Sequence, residues 1–397
     1  MSKHPIPILP ASVPLSVNEP QPGIQIGNPT AFPPSPITDH DRYSRQILFP
    51  GIGAKGQQLL RSAHVAIVGV GATGAATASL LARAGIGTLT LIDRDFVEPS
   101  NLQRQVLFDE ADARDSFPKA EAARRKIALF NSSIAVHPHI NDLVPVNIHE
   151  LLAPAHLILD ATDNFETRYL INDFCVQQSK PWIYAAAIGA YAATMNILPK
   201  PPDHPSTPYS LLPTPCPPTA CLACIFPKPP TGPVETCDTA GILSTAVNLA
   251  ASIQATEALK FLTNQPHLMR RTLLSFDLWS PEGQGNIARS EINTSTPNPA
   301  CPVCGHRNFS HLAGEGRPHI TLCGRNSVQI HEHHRPVDFP AMRDRLSPHG
   351  AVRFNNLLLR FEHPPHTLTL FSDGRAIIQG TTDITLARTL YARFIGS

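Results

Sequence analysis

The sequence predicts an α/β fold, with a mostly parallel sheet carrying helices on both faces and a small C-terminal α+β module behind it. Three observations predict it. Short apolar runs alternate with helical stretches between His64 and Tyr184, the rhythm of a parallel sheet buried between helix layers. A glycine-rich turn joins the first strand run to the first helix. After Cys304 the texture changes to several short strands framed by two helices.

The elements follow in order. Residues 1–40 hold ten prolines and no apolar periodicity, so a disordered tail is expected. His64–Val68 reads as a buried strand, followed by glycines and a small-residue helix over about Gly74–Ala84. Leu89–Ile92 is a second strand ending at Asp93. A helix is expected from Lys119 to Phe130, then strands at Ile134–Pro138 and Leu157–Leu159, the latter ending at Asp160. Trp182–Tyr184 and Ala193–Leu198 continue the sheet, and Leu243–Leu262 reads as a long helix. Between these, Pro199 to Pro233 carries thirteen more prolines around Cys216, Cys221 and Cys224. That is too long for an ordinary turn and is expected to be a functional crossing loop. From about residue 320 the pattern gives a strand (Val328–His331), a helix (Phe339–Leu346), three strands (Val352–Phe361, Thr367–Phe371, Ala376–Gln379) and a helix (Leu386–Ile395). The expected divisions are therefore 1–40, 41–310 and 311–397.

Composition narrows the function. A chain of 397 residues suits two or three domains. Its 32 Lys and Arg against 31 Asp and Glu leave it near neutral, which excludes a strongly basic surface that tracks nucleic-acid phosphates. Pro5, Pro7, Pro10 and Pro14 interrupt the only candidate leader. No apolar run reaches the ~18 residues of a membrane span. A soluble, cytoplasmic protein is expected.

Gly69-Val-Gly71-Ala-Thr-Gly74 follows a strand and opens a helix, and Asp93 ends the next strand nineteen residues on. Glycines there let backbone amides approach a phosphate at a helix N-terminus, and the carboxylate can take ribose hydroxyls. The alternative is a turn chosen only for tight strand–helix packing. Asn101-Leu-Gln-Arg104-Gln105, then Lys119, then Asp160-Ala-Thr-Asp163-Asn164 all lie beyond strand ends, where ligands sit in open α/β sheets. Two cations and an acid meeting there suit a triphosphate with magnesium better than a nicotinamide. Arg104 and Lys119 could instead be solvated charges, and Asp163 a helix cap before Phe165–Cys175.

Eight cysteines include two Cys-x-x-Cys pairs, Cys221/Cys224 and Cys301/Cys304. Each has the spacing of half a tetrahedral zinc site, and together they make a closed, structural four-cysteine site that would pin the crossing loop to the core. Two unrelated reduced pairs are the alternative. Cys175, Cys216 and Cys323 read as ordinary core or loop thiols. His331-Glu-His333-His334 lacks a fourth ligand and reads as solvated edge residues.

Taken in order, Asp41-Arg-Tyr-Ser-Arg45-Gln46, the glycine turn, Asn101–Gln105, Asp160–Asn164 and the two cysteine pairs resemble the ubiquitin-activating-type adenylyltransferases, the family of the bacterial MoeB, ThiF and HesA proteins. The resemblance covers about residues 41–308. It implies a Rossmann-like ATP-binding domain, and an enzyme that adenylates the C-terminal Gly-Gly carboxylate of a ubiquitin-like sulfur-carrier protein of the MoaD or ThiS type. Carried over, Gly69, Gly71 and Gly74 would line the nucleotide, Asp93 would hold its ribose, Asn101, Arg104, Gln105 and Lys119 its phosphates, and Asp163 magnesium. Arg45 would reach the partner subunit's site, so a homodimer is expected; from sequence alone it could equally be a helix-end charge. Cys237, in Glu235-Thr-Cys237-Asp, falls at the family's reactive cysteine. It precedes the helix expected near Leu243, whose dipole would favour a thiolate; a packed thiol is the alternative.

Two other classes compete. A nicotinamide-dependent oxidoreductase would account for Gly69–Gly74 and Asp93 but leaves Asn101–Gln105, Asp163 and the four cysteines unexplained. A non-catalytic binder of a ubiquitin-like protein has no need of Arg104, Lys119 and Asp163 together. No motif assigns a role to residues 311–397.

Overall fold

A computed structural model describes residues 37–201, 216–229, 237–279, 287–314, 321–322, 327–330, 337–372 and 374–396. The chain divides into Met1–Arg42 and Tyr43–Ser397. The expected tail lies outside the described residues up to position 36 and ends in a helix, α1 (Asp39–Ile47). His331–His334 and Cys323 also lie outside the described residues.

Among the described residues the main sheet has eight strands in the order β3-β2-β1-β4-β5-β6-β7-β8. β1 (His64–Val68), β2 (Thr88–Ile92), β3 (Ala135–His139), β4 (Leu157–Asp160) and β5 (Trp182–Ile188) are parallel. β6 (Tyr191–Ile197), β7 (Thr272–Asp277) and β8 (Ala288–Asn293) extend it antiparallel. Side-chain alternation puts Val65, Ile67, Leu89, Leu91, Leu157 and Leu159 in the core of one face, and Ala66, Val68, Ile92 and Ile158 in the core of the other. Both faces are covered, so the strands read as continuous apolar runs. Each fully buried Leu or Ile contributes roughly 1.5–3 kcal/mol.

The first face packs α2 (Gly53–Ser62), α3 (Ala72–Ala84), the short α4 (Glu110–Arg114) through Ala113, α5 (Lys119–Phe130) and the long α10 (Ser244–Leu262). The small residues of α3 let α10 come close, and Gln254 of α10 crosses to accept from Thr77 Oγ1 (3.0 Å) and to donate to the carbonyls of Asp160 (2.8 Å) and Ile183 (3.0 Å). The second face carries α6 (Ile148–Leu152) and α7 (Phe165–Gln177), with the short α8 (Leu222–Ile225) from the Pro-rich crossing. Within that crossing, residues 202–215 and 230–236 lie outside the described residues.

Among the described residues the second sheet has six strands in the order β11-β12-β13-β14-β10-β9: β9 (Thr321–Leu322), β10 (Ser327–Ile330), β11 (Ala351–Phe354), β12 (Leu358–His363), β13 (His366–Phe371) and β14 (Ala376–Gln379). Helices α11 (Phe339–Leu346) and α12 (Ile384–Phe394), capped by Asp338 and Asp383, close its core. The single strand expected over Val352–Phe361 is two. Asn355 Oδ1 accepts from the amides of Leu357 (2.8 Å) and Leu358 (3.0 Å), turning the chain back as an antiparallel hairpin.

Candidate nucleotide site and metal centre

β1 lies between β2 and β4, so consecutive connections leave it in opposite directions and open a crevice at its carboxyl end. Two loops meet there. Gly69 has φ +86°, and a Cβ on it would lie 2.7 Å from the Ala161 carbonyl oxygen. A Cβ on Gly74 would lie 1.9 Å from the Gly69 oxygen. These two glycines are fixed by the backbone itself. Gly71, which precedes α3, differs. Nothing meets a Cβ there closer than Gln105 Nε2 at 3.9 Å, so the space in front of it is open.

Asp93 closes the turn from the β2 side. Its Oδ2 accepts from the Val70 amide (2.6 Å) and its Oδ1 from the Asp95 amide (2.7 Å). Burial pushes its carboxyl up, while nearby Lys119 pulls it back. Lys119 is buried at the start of α5, with Nζ 3.2 Å from Asp95 Oδ2. Asn101 ends a 3-10 turn (Pro99–Asn101) and accepts from the Glu98 amide. Arg104 donates Nη1 to the Ser100 carbonyl (2.8 Å) and stays partly exposed. Gln105 is buried; its Nε2 is the atom nearest Gly71, placed to donate to an anionic ligand there, while its Oε1 has no hydrogen-bond partner among the described residues.

At the β4 exit two carboxylates have different surroundings. Asp160 is fully buried and structural. It accepts from Thr162 N (2.9 Å) and Oγ1 (2.7 Å) and pairs with Arg168 (3.3 Å); burial pushes its carboxyl up and Arg168 opposes this. Asn164, not Asp163, caps α7, accepting from the Thr167 amide (2.8 Å). Asp163 is exposed at the crevice. Burial works against the charges of Arg94 and Arg168, yet neighbouring acids, Asp163 among them, hold both above their ordinary values.

Sequence reasoning missed Arg94, Asp95 and Arg168. Arg94 Nη1 binds Asp142 Oδ1 (2.7 Å) and Oδ2 (2.9 Å). Arg168 donates to the Thr162 and Ala185 carbonyls and lies over Phe165 and Tyr184. Arg94 and Asp95 directly follow Asp93, a signal that was available; Arg168 sits one helical turn inside α7 and carried none.

Arg45 is exposed in the last turn of α1, on a segment anchored by buried Tyr43, whose hydroxyl accepts from Asn131 Nδ2 (2.9 Å). Cys237 heads a four-residue turn, α9 (Cys237–Ala240), rather than the long helix. Gly241, at φ +72°, ends that turn, and Gly241 and Leu243 pair with the backbone of Gly189 before α10 begins. The long helix therefore begins seven residues after Cys237, with the short turn and Gly241 between them. Cys175 is buried in α7, and burial pushes its thiol well up, as expected of an inert core cysteine.

The two Cys-x-x-Cys pairs converge. The four Sγ atoms of Cys221, Cys224, Cys301 and Cys304 lie within 4.8 Å of one another. Cys221 is 3.8 Å from Cys224 and 3.6 Å from Cys301, and Cys224 is 3.3 Å from Cys304. Four thiolates ~2.3 Å from a tetrahedral zinc would stand ~3.8 Å apart. The donor set fits zinc and leaves no position open.

The profile of the ThiF family matches residues 43–303. The chain is 41% identical over 359 residues to the sulfur carrier protein ThiS adenylyltransferase of Bacillus subtilis, covering 89% of this chain and 99% of that protein. It is 35% identical to the sulfur carrier protein adenylyltransferase of Thermus thermophilus, over 67% of this chain and 90% of that one. Among solved structures, Escherichia coli MccB with ATP superposes with a TM-score of 0.53 at 26% identity, covering 67% of this chain and 74% of that one.

Proposed function

The chain belongs to the ThiF family and is an ATP-dependent adenylyltransferase that activates a ubiquitin-like sulfur-carrier protein; on that premise we propose which residues carry the reaction and which carrier it serves. The observation that carries the reading is the meeting of the Gly69–Gly74 turn with the Asp160–Asp163 loop at the sheet's switch point, with space open in front of Gly71 and Asp163 relieved of capping.

In the proposed reaction the C-terminal glycine carboxylate of the carrier attacks the α-phosphate of ATP, giving an acyl adenylate and pyrophosphate. An anion approaching an anion needs charge neutralisation and alignment. Asp93 takes the ribose, exchanging a backbone amide for a hydroxyl. The first turn of α3 receives phosphate on its amides. Asn101, Arg104 and Gln105 hold the phosphate chain, and Lys119 leaves Asp95 to join them. Asp163 would hold magnesium, which supplies further positive charge on the phosphates. Arg45 completes the site of a second copy in a homodimer. Cys237 links covalently to the carrier: its thiolate attacks the acyl carbon of the adenylate, forming a thioester as the acyl–phosphate bond breaks and AMP leaves. Zinc at the four cysteines is structural. The compartment is cytoplasmic; among the described residues no helix is long and apolar enough to cross a membrane.

The carrier is of the ThiS type, serving thiazole synthesis. Support comes from the Bacillus match, which joins 41% identity over 359 residues to coverage of 99% of that ThiS adenylyltransferase.

The test is ATP–pyrophosphate exchange with ThiS-type and MoaD-type carriers ending in Gly-Gly. Exchange should require the carrier's C-terminus and favour the ThiS type. Arg104→Ala should lower it by ~10²–10³-fold, as loss of a transition-state donor does, and Asp163→Asn should lower it through weakened magnesium binding. Full exchange in both variants would sink the assigned roles, and a preference for the MoaD type would move the enzyme to molybdopterin synthesis.

A further inference from the structure

The C-terminal sheet grips the loops that carry the nucleotide site. Gln329, buried on β10, donates Nε2 to Asp142 Oδ2 at 2.6 Å. Asp142 is the carboxylate that holds Arg94. Arg375, also buried, donates to the Ile140 carbonyl (2.7 Å) in the same β3 exit loop. On the β2 exit, Phe96 is enclosed with Leu358, Phe371 and Ile377 of the second sheet, and Gln379 reaches Glu98 (3.4 Å). Arg360 bonds Ser116 Oγ (3.3 Å), three residues before Lys119. One module thus contacts the three segments that flank Asp93, Asn101 and Lys119.

The charges give these contacts a purpose. Arg94 follows Asp93 directly and lies within electrostatic reach of Asp95, Asp142 and Asp163. A guanidinium among several carboxylates pairs with whichever is best oriented. Pairing with Asp163 would neutralise the acid that the proposed magnesium needs. Asp142 draws Arg94 away, and Asp142 is oriented by Gln329.

Resting on the adenylyltransferase reading, we infer that the C-terminal module is a positioning support for the ATP site, acting through the Gln329–Asp142–Arg94 chain to keep Arg94 off Asp163. Gln329 and Asp142 are positioning residues. Their loss weakens binding of magnesium–ATP without touching the chemical step or the docking of the carrier.

The test measures ATP binding by titration, and KM for ATP, KM for the carrier and kcat in exchange, on the full chain and its variants, with melting temperature alongside. Gln329→Ala should raise KM and Kd for ATP by about five- to tenfold, somewhat less than the full value of a hydrogen bond to a charged group because the effect is relayed. kcat at saturating ATP and KM for the carrier should not move. Gln329→Glu, which sets two carboxylates face to face, should raise KM for ATP further. Asp142→Asn, which keeps the shape but removes the carboxylate that holds Arg94, should raise KM for ATP at least as much as Gln329→Ala. Asp344→Ala, on the exposed side of α11, should change nothing. A lower melting temperature with unchanged ATP parameters would overturn the proposal, as would a shift in carrier KM alone. If the unmodified chain bound no ATP, the functional reading would fall and this inference with it; a parent that binds ATP normally beside unresponsive variants overturns this inference alone.

Discussion

At the scale of single residues, the glycines separate fold from function. Gly74 has no room for a methyl group, since its Cβ would stand 1.9 Å from a carbonyl oxygen. Gly74→Ala should destabilise the protein by about 3 kcal/mol or more through forced backbone displacement. Gly71→Ala meets nothing closer than 3.9 Å, so urea unfolding should change little while ATP affinity falls, because the methyl enters the space left for phosphate. Equal loss of stability in the two variants would refute the distinction. Both glycines were legible as a motif, but the motif alone could not divide their tasks. Asp160 and Asp163 show the same limit. They stand three residues apart in one loop, and only the observed partners make Asp160 the buried knot and leave Asp163 facing the crevice.

At the scale of elements, alternation of apolar runs located the parallel strands closely, because strands buried on both faces leave an uninterrupted apolar trace. β7 and β8 were not found that way: β8 is exposed along most of its length and reads as polar. The far end of β1 carries a pH dependence. His64 Nε2 lies 2.8 Å from Thr90 Oγ1, its amide donates to His156 Nδ1 (2.9 Å), and burial, followed by the charges of His156 and His137, pushes its pKa down to about 4. His139 and His156 are shifted down as well, by burial first. A ring held neutral in the fold but protonated below about 6.5 when unfolded stabilises fully above that pH. The contribution is lost as pH falls from 6.5 toward 4. His64 is only half buried, so solvent screening leaves on the order of 1 kcal/mol for it. Urea midpoints at pH 7.5 and pH 5 should differ accordingly, and His64→Gln should reduce the difference. An unchanged pH dependence in that variant would exclude His64 as its source.

At the scale of the whole molecule, the four cysteines tie the crossing loop to the segment after β8, 80 residues apart in both cross-pairs. Metal analysis should find one zinc per chain. Because a closed site's binding energy is folding energy, Cys304→Ser should lower the melting temperature by about 10 °C, while exchange activity survives at low temperature. A metal-free protein with an unchanged melting temperature would refute the site. The sequence by itself determined what local chemistry and periodicity encode: the strand–helix alternation, the glycine turn with its acid, and the cysteine pairs with zinc spacing. It did so because glycine conformation, strand burial and ligand spacing are properties of neighbours in the chain. Only the tertiary structure decided what depends on groups distant in sequence. Arg94 is held by Asp142 and that in turn by Gln329, Arg168 locks the Asp160 loop, and Gly241 detaches Cys237 from the long helix. A side chain's partner across 187 residues leaves no trace in the sequence around it, because packing alone brings the two together.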